Sequence, residues 1–191
     1  PEFLDSKIHH NNLLNNILAK IEANLAGTDD ALMLDANGFV AEANATNVFM
    51  IRGGVLYTPL ADACLPGITR GLILDLARKH GIPAEERNLS VSEFYNADEV
   101  FVTGTMGELA RVKEIDGREI RNRKEESMLD RIQDLFGEYV KANCIPLPFC
   151  VNYFLFRGSK PKFSRFEGPE HNYFTGFAVV RRFLSEGRWN P

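Results

Sequence analysis

The sequence has little cysteine, no long apolar run and no excess of basic charge, and each shortage removes a class of function. Cys64, Cys144 and Cys150 are its only thiols, too few and too scattered for a disulfide framework or a zinc site. They read as reduced thiols of a cytosol-like compartment. The adjacent pair His9-His10 points two ways at a helix start and makes no metal site. With 22 Lys/Arg against 26 Asp/Glu, the net charge is -4, which argues against nucleic acid as a partner. No stretch approaches the ~20 apolar residues of a membrane span, so no membrane partner is expected. A secretory signal is also lacking, and the sequons at Asn44 and Asn88 read as chance. The chain starts at Pro1 without a Met. An upstream piece, with any organellar address it carries, is therefore expected outside the sequence. What is there, 191 residues with 45% hydrophobic and 25% charged, suits one globular domain with a real core.

Leu13, Leu14, Ile17, Leu18, Ile21 and Leu25 recur at helical spacing, so residues ~10–26 read as an amphipathic helix closed by Gly27. Asn37-Gly38 lies between two β-type runs, a strong hairpin signal, and Gly53-Gly54 marks a second hairpin between Val48–Ile51 and Val55–Tyr57. Pro66-Gly67 breaks the chain before a helix from Thr69 to Lys79, which Gly81 ends. Val100–Thr103 and Glu108–Val112 read as strands flanking a turn at Gly104, and Asp116-Gly117 as another hairpin. Met128, Leu129, Ile132, Leu135, Phe136 and Tyr139 mark a last helix. Strands joined by such short turns pair antiparallel.

The chain changes character after about Ala142. Residues 143–191 hold 7 Lys/Arg against 3 Asp/Glu and 8 of the 14 Phe, without clean periodicity in Val151–Arg157 or Tyr173–Val180. We expect a main domain over 1–142 and an atypical aromatic, basic tail over 143–191. That tail is either an extra packing module or, in the reading we favour, sequence foreign to the fold.

Four segments could carry chemistry, and each alone has an ordinary structural reading. Lys7, in Asp5-Ser6-Lys7 ahead of the first helix, is a solvated charge unless burial or nearby cations activate it to form a Schiff base. Glu42, which alternation places on the face of Val40, is a surface carboxylate unless a cation, such as a protonated pyridine nitrogen, meets it in a core-facing position. Leu65-Pro66-Gly67-Ile68-Thr69-Arg70 opens a helix: ordinary capping, or a phosphate seat built of free N–H groups and the Thr69 hydroxyl. Thr103-Gly104-Thr105-Met106 is a plain reverse turn or a second anion-binding turn.

Taken in order, these segments resemble the class IV, fold-type IV aminotransferases, the family of branched-chain aminotransferases, D-amino acid aminotransferases and aminodeoxychorismate lyases. Glu42 through Asn47-Val48-Phe49, then Leu56-Tyr57-Thr58, then Leu65 through Arg70, follows the family signature, with Asn44 where a small residue is usual. Ala97-Asp98-Glu99-Val100-Phe101 followed by Thr103-Gly104-Thr105 is similar too. The resemblance implies an α/β fold in the mixed α+β sense: a barrel-like mixed sheet with flanking helices, the large domain of the D-amino acid aminotransferase-like enzymes. It implies pyridoxal 5'-phosphate as cofactor. Lys7 would hold it covalently and shuttle a proton, and Glu42 would pair with the pyridine nitrogen. Leu65 would pack on the ring, and Gly67, Ile68 and Thr69 would bind the phosphate. Thr105 would add a hydroxyl, and the amides of Thr105 and Met106 would face the substrate carboxylate. The partners implied are a small amino acid, a 2-oxo acid and further copies of the chain.

The sequence departs from the family at Asn12, where related enzymes often place a Tyr. It departs again at Ala110-Arg111 in place of a Ser/Thr-Pro pair, and at Arg121–Glu126 in place of a Gly-rich stretch. The N-terminal domain that covers the cofactor in the family is missing, so poor turnover is expected. Three functions compete: transamination of a branched-chain-like amino acid with 2-oxoglutarate; lyase or D-amino acid chemistry on the same fold; or a non-catalytic fragment that binds a partner through its aromatic tail.

Overall fold

The computed structural model describes residues 5–9, 11, 13–105, 107–122 and 126–143, together with a strand at 177–183. α1 (Leu14–Leu25) comes first. β1 (Asp30–Leu34) turns through Asn37-Gly38 into β2 (Val40–Ala43), and β3 (Asn47–Arg52) turns through Gly53-Gly54 into β4 (Val55–Thr58). Gly53 and Gly54 stand at φ 61° and 85°, the left-handed pair that a two-residue turn needs to match the twist of its strands. α2 (Ile68–Lys79), β5 (Ala84–Glu86), α3 (Val91–Tyr95), β6 (Glu99–Gly104) and β7 (Glu108–Ile115) follow. β8 (Arg118–Glu119), α4 (Met128–Asn143) and β9 (Phe177–Phe183) complete the described elements.

The strands form one sheet in the order β2-β1-β9-β7-β6-β3-β4-β5, with β8 beside β7. The pairings are antiparallel except that of β4 with β5. The path curls back on itself. β2 passes straight into β3 through residues 44–46, with the Ala43 N–H on the Thr46 carbonyl at 2.8 Å. The architecture is the mixed sheet with flanking helices that the sequence implies. β5 is three exposed residues without an apolar pattern, so nothing in its composition announces it. β9 comes from the last quarter of the chain and lies between β1 and β7.

One face of the sheet holds a core of Leu32, Val40, Ala43, Val48, Met50, Val100 and Val102, with Phe94 of α3 packed into it. On the other face α2 and α4 bury Ile73, Leu76, Ile132 and Phe136 against Phe49 and Phe101. Those two rings are cross-strand partners and stack at 5.1 Å. α1 covers β1 differently. An amphipathic helix implies a buried apolar stripe, yet Ile17 and Leu25 are 52% and 74% exposed. Ala19 and Ala23, both fully buried, face Ala31 instead, because small side chains let the helix lie close to the strand. Ile17→Glu is therefore expected to change the stability of the unassociated chain by less than about 0.5 kcal/mol. Ala23→Leu, which overpacks the contact, is expected to cost about 1–3 kcal/mol. Urea midpoints of the two variants check this.

Candidate active site

Glu42 owes its place to a bulge. Leu34 pairs with Val40, Met33 with Glu42 and Leu32 with Ala43, so the register slips between Met33 and Leu34 and Ala41 has no partner on β1. The alternation that puts Glu42 on the face of Val40 is thereby broken. Val40 and Ala43 both enter the first core, while Glu42 sits beside Met33, which packs with Ala19, Ala23 and Ala31 under α1. There the carboxyl is partly buried. The Leu65 N–H donates to its Oε2 across a long 3.4 Å, and no cation pairs with it among the described residues. Burial outweighs that bond and pushes the Glu42 carboxyl up to about 7 from 4.5.

The chain between β4 and α2 carries Leu65 to this carboxyl and is pinned at both ends. Buried Arg70 donates to the Pro59 carbonyl at 2.8 Å and to Glu86 at 2.5 Å. Asn47, at the start of β3 and also buried, donates from Nδ2 to the Leu65 carbonyl at 2.8 Å. Cys64 lies beside it, 3.9 Å from Asn47 Nδ2. Burial first, and then the Glu42 charge, push this thiol up to about 11, so it is an inert thiol rather than a nucleophile. Gly67 then starts α2. The first N–H groups of that helix lack intrahelical acceptors, and Gly67 has no side chain to cap them. Thr69 is buried, while the Ile68 side chain is 84% exposed. Free N–H groups and the positive end of the helix dipole favour an anion here.

The end of β6 arrives at the same edge. Asn47 pairs with Thr103, and a Cβ on Gly104 would stand 3.2 Å from Thr46 Cγ2. The hydroxyls of Thr46 and Thr103 are buried and have no hydrogen-bond partner among the described residues. A folded protein keeps such groups where a ligand or a water completes them. Thr105 is exposed in the turn that follows. Met106 and Asn12 lie outside the described residues, as do residues 123–125.

Lys7 occupies an exposed turn ahead of α1. Its N–H meets the Asp5 carboxylate at 2.9 Å, and the Ile8 N–H meets the Asp5 carbonyl at 3.0 Å. Its ammonium has no hydrogen-bond or ion-pair partner among the described residues. α1 is tied to the chain just after Glu42 by Asn16 Nδ2 on the Asn44 carbonyl at 2.7 Å. The structure thus joins Glu42, Leu65, Gly67 and the start of α2 through direct contacts. No hydrogen bond or ion pair among the described residues joins Lys7 or Thr105 to them. The sequence motifs include Asn47 and Thr103 but assign no role of their own to these residues or to Thr46. Their signal was present: polar side chains at the ends of otherwise apolar strands.

The family model for amino-transferase class IV matches residues 1–115. A branched-chain-amino-acid aminotransferase-like protein 2 of Arabidopsis thaliana is 54% identical over 148 residues, 78% of this chain and 26% of that relative. A putative branched-chain-amino-acid aminotransferase of Methanocaldococcus jannaschii is 41% identical, over 72% of this chain and 48% of the relative. Among solved structures, the branched-chain amino acid aminotransferase of Thermobaculum terrenum in its PLP form superposes with a TM-score of 0.70 at 35% identity, covering 74% of this chain and 47% of that one. The chain thus spans about half, or about a quarter, of the length of these relatives.

Proposed function

We propose, from the premise that this chain belongs to the class IV amino-transferase family, that it carries the cofactor-holding part of an enzyme that transfers an amino group from a branched-chain amino acid to 2-oxoglutarate using pyridoxal 5'-phosphate. The observation that carries this reading is the Glu42 carboxyl, partly buried without a cation partner among the described residues and pushed up to about 7, one short loop from the uncapped start of α2. An isolated acid in that setting is costly. A protonated pyridine nitrogen beside it and a phosphate on the helix start would complete both sites, so the residues fit the cofactor.

When bound, the cofactor supplies an electron sink for the pair released as the Cα–H bond of the amino acid breaks. Glu42 keeps the ring nitrogen protonated. Leu65 packs on the ring face, and the amides of Gly67, Ile68 and Thr69, with the Thr69 hydroxyl, hold the phosphate. Thr105 adds a hydroxyl, and with Met106 it offers amides to the substrate carboxylate. Lys7 would hold the cofactor covalently and, freed as an amine when the substrate takes its place, would act as general base on the proton at the substrate Cα. Self-association belongs to the same proposal. The apolar residues exposed along α1 are a surface of the kind assembly covers, and sedimentation velocity tests it.

The experiment is a titration of the chain with pyridoxal 5'-phosphate followed by absorbance, then incubation with leucine, valine or isoleucine and 2-oxoglutarate with glutamate as readout. Saturable cofactor binding with slow turnover is expected. Thr105 and the Lys7 turn are exposed, and water at a reacting centre weakens its electrostatic contacts. A chain that never binds the cofactor saturably ends the proposal; rapid multiple turnover overturns the expectation of slow turnover alone.

A further inference from the structure

We infer that Asn47 is a positioning residue: its carboxamide, wedged between the Leu65 carbonyl and the backbone of Gly67, fixes the distance between the Glu42 end of the site and the anion-binding start of α2. The inference rests on the function proposed above, but its geometry stands alone. Asn47 Nδ2 donates to the Leu65 carbonyl at 2.8 Å, while the Leu65 N–H faces Glu42 at 3.4 Å. One peptide-length segment is thus held from both sides.

On its other side, Asn47 Oδ1 lies where a side chain on residue 67 would begin. A Cβ on Gly67 would stand 2.1 Å from Oδ1 and 3.3 Å from Cγ. The backbone of Gly67, at φ -63° and ψ 142°, is open to any residue, so the glycine is required only by this approach. A ring bound between Glu42 and the helix start has fixed dimensions, and a single rigid amide that touches both segments sets that spacing. Asn47 is itself anchored in the β3–β6 ladder through its pairing with Thr103, so the gauge is mounted on the most buried strands of the sheet. It touches neither Glu42 nor an N–H group of α2 in the described contacts and acts only through the loop.

The test compares Asn47→Ala, Gly67→Ala and the double variant in the 191-residue chain. It reads the titration of the Glu42 carboxyl by NMR without cofactor and the affinity for pyridoxal 5'-phosphate by absorbance. In Asn47→Ala the loop is expected to loosen and admit water. Because burial is the first cause of the raised value, the Glu42 titration should fall from about 7 toward 4.5. The charges that surround Cys64 in the same loop, Asp62, Arg70 and Glu86, are unchanged by the substitution. A residue that merely supported the fold would leave that titration where it is. Cofactor affinity is expected to drop about 10-fold or more in each single variant, the scale of a lost supporting contact. The double variant should be no weaker than Asn47→Ala, since the obstruction is gone.

A folded Asn47→Ala whose Glu42 titration is unmoved overturns the inference, as does a double variant whose losses simply add. If Asn47→Ala does not fold, Gly67→Ala presses the same contact from the loop side and is read by the same titration. Failure of the unsubstituted chain to bind the cofactor would sink the functional proposal instead. The Glu42 titration would still decide the role of Asn47.

Discussion

Glu42→Gln is expected to make the cofactor-free chain more stable at pH 8, by up to about 3 kcal/mol, and to leave it unchanged near pH 4.5. The Glu42 carboxyl is held at about 7 in the fold against 4.5 in the free side chain. A folded value above the unfolded one means that the fold favours the protonated acid. Its contribution is fully present below pH 4.5, declines as pH rises, and is lost once pH passes 7. Gln mimics the neutral acid at every pH and removes that decline. Thermal or urea unfolding of both chains at pH 4.5, 6 and 8 measures it.

Two other shifted carboxyls leave the comparison clean. Asp30 is raised by burial in the same direction and is present in both chains. Glu93, pushed down to about 2 chiefly by Arg87, contributes stability above pH 4.5 and loses it only as pH falls toward 2, outside the window. Saturating pyridoxal 5'-phosphate should reverse the order, stabilising the unsubstituted chain and not the variant, because binding to the native state alone adds to stability. Equal stability of the two chains at pH 8 would show Glu42 to be an ordinary solvated acid.

The second large effect is expected from Lys7→Ala. Reduction of the cofactor-loaded chain with borohydride should trap one adduct per chain on the peptide carrying Lys7, and the variant should lose it entirely while keeping its unfolding midpoint. The midpoint should hold because Lys7 is exposed and its side chain has no partner among the described residues. Other amines are poorer candidates: Lys20, for example, is committed to the Asp29 carbonyl. An adduct of undiminished stoichiometry in Lys7→Ala would remove the catalytic amine from the proposal.

Much of this was legible in the residues. Turn chemistry marked three hairpins, since Gly38, Gly53, Gly54 and Gly117 stand in left-handed conformations that few other residues adopt. The 3.6-residue period found α1, α2 and α4. What the sequence hid was set by tertiary geometry. β5 forms only because β4 offers it an edge. α1 shows its leucines to solvent because two alanines fit the strand better. Gly67 reads as a turn glycine but serves as a gap for Asn47. Glu42 was found by its motif, while its face was misplaced, because a bulge carries no signature in four residues of strand.

The unpaired Ala41 makes β2 tolerant of a shorter chain. Without it, Val40 would still stand opposite Leu34, Glu42 opposite Met33 and Ala43 opposite Leu32, a regular ladder with the acid on its present side. The extra residue is slack in the strand: its removal straightens a local kink and leaves the carboxyl where it is.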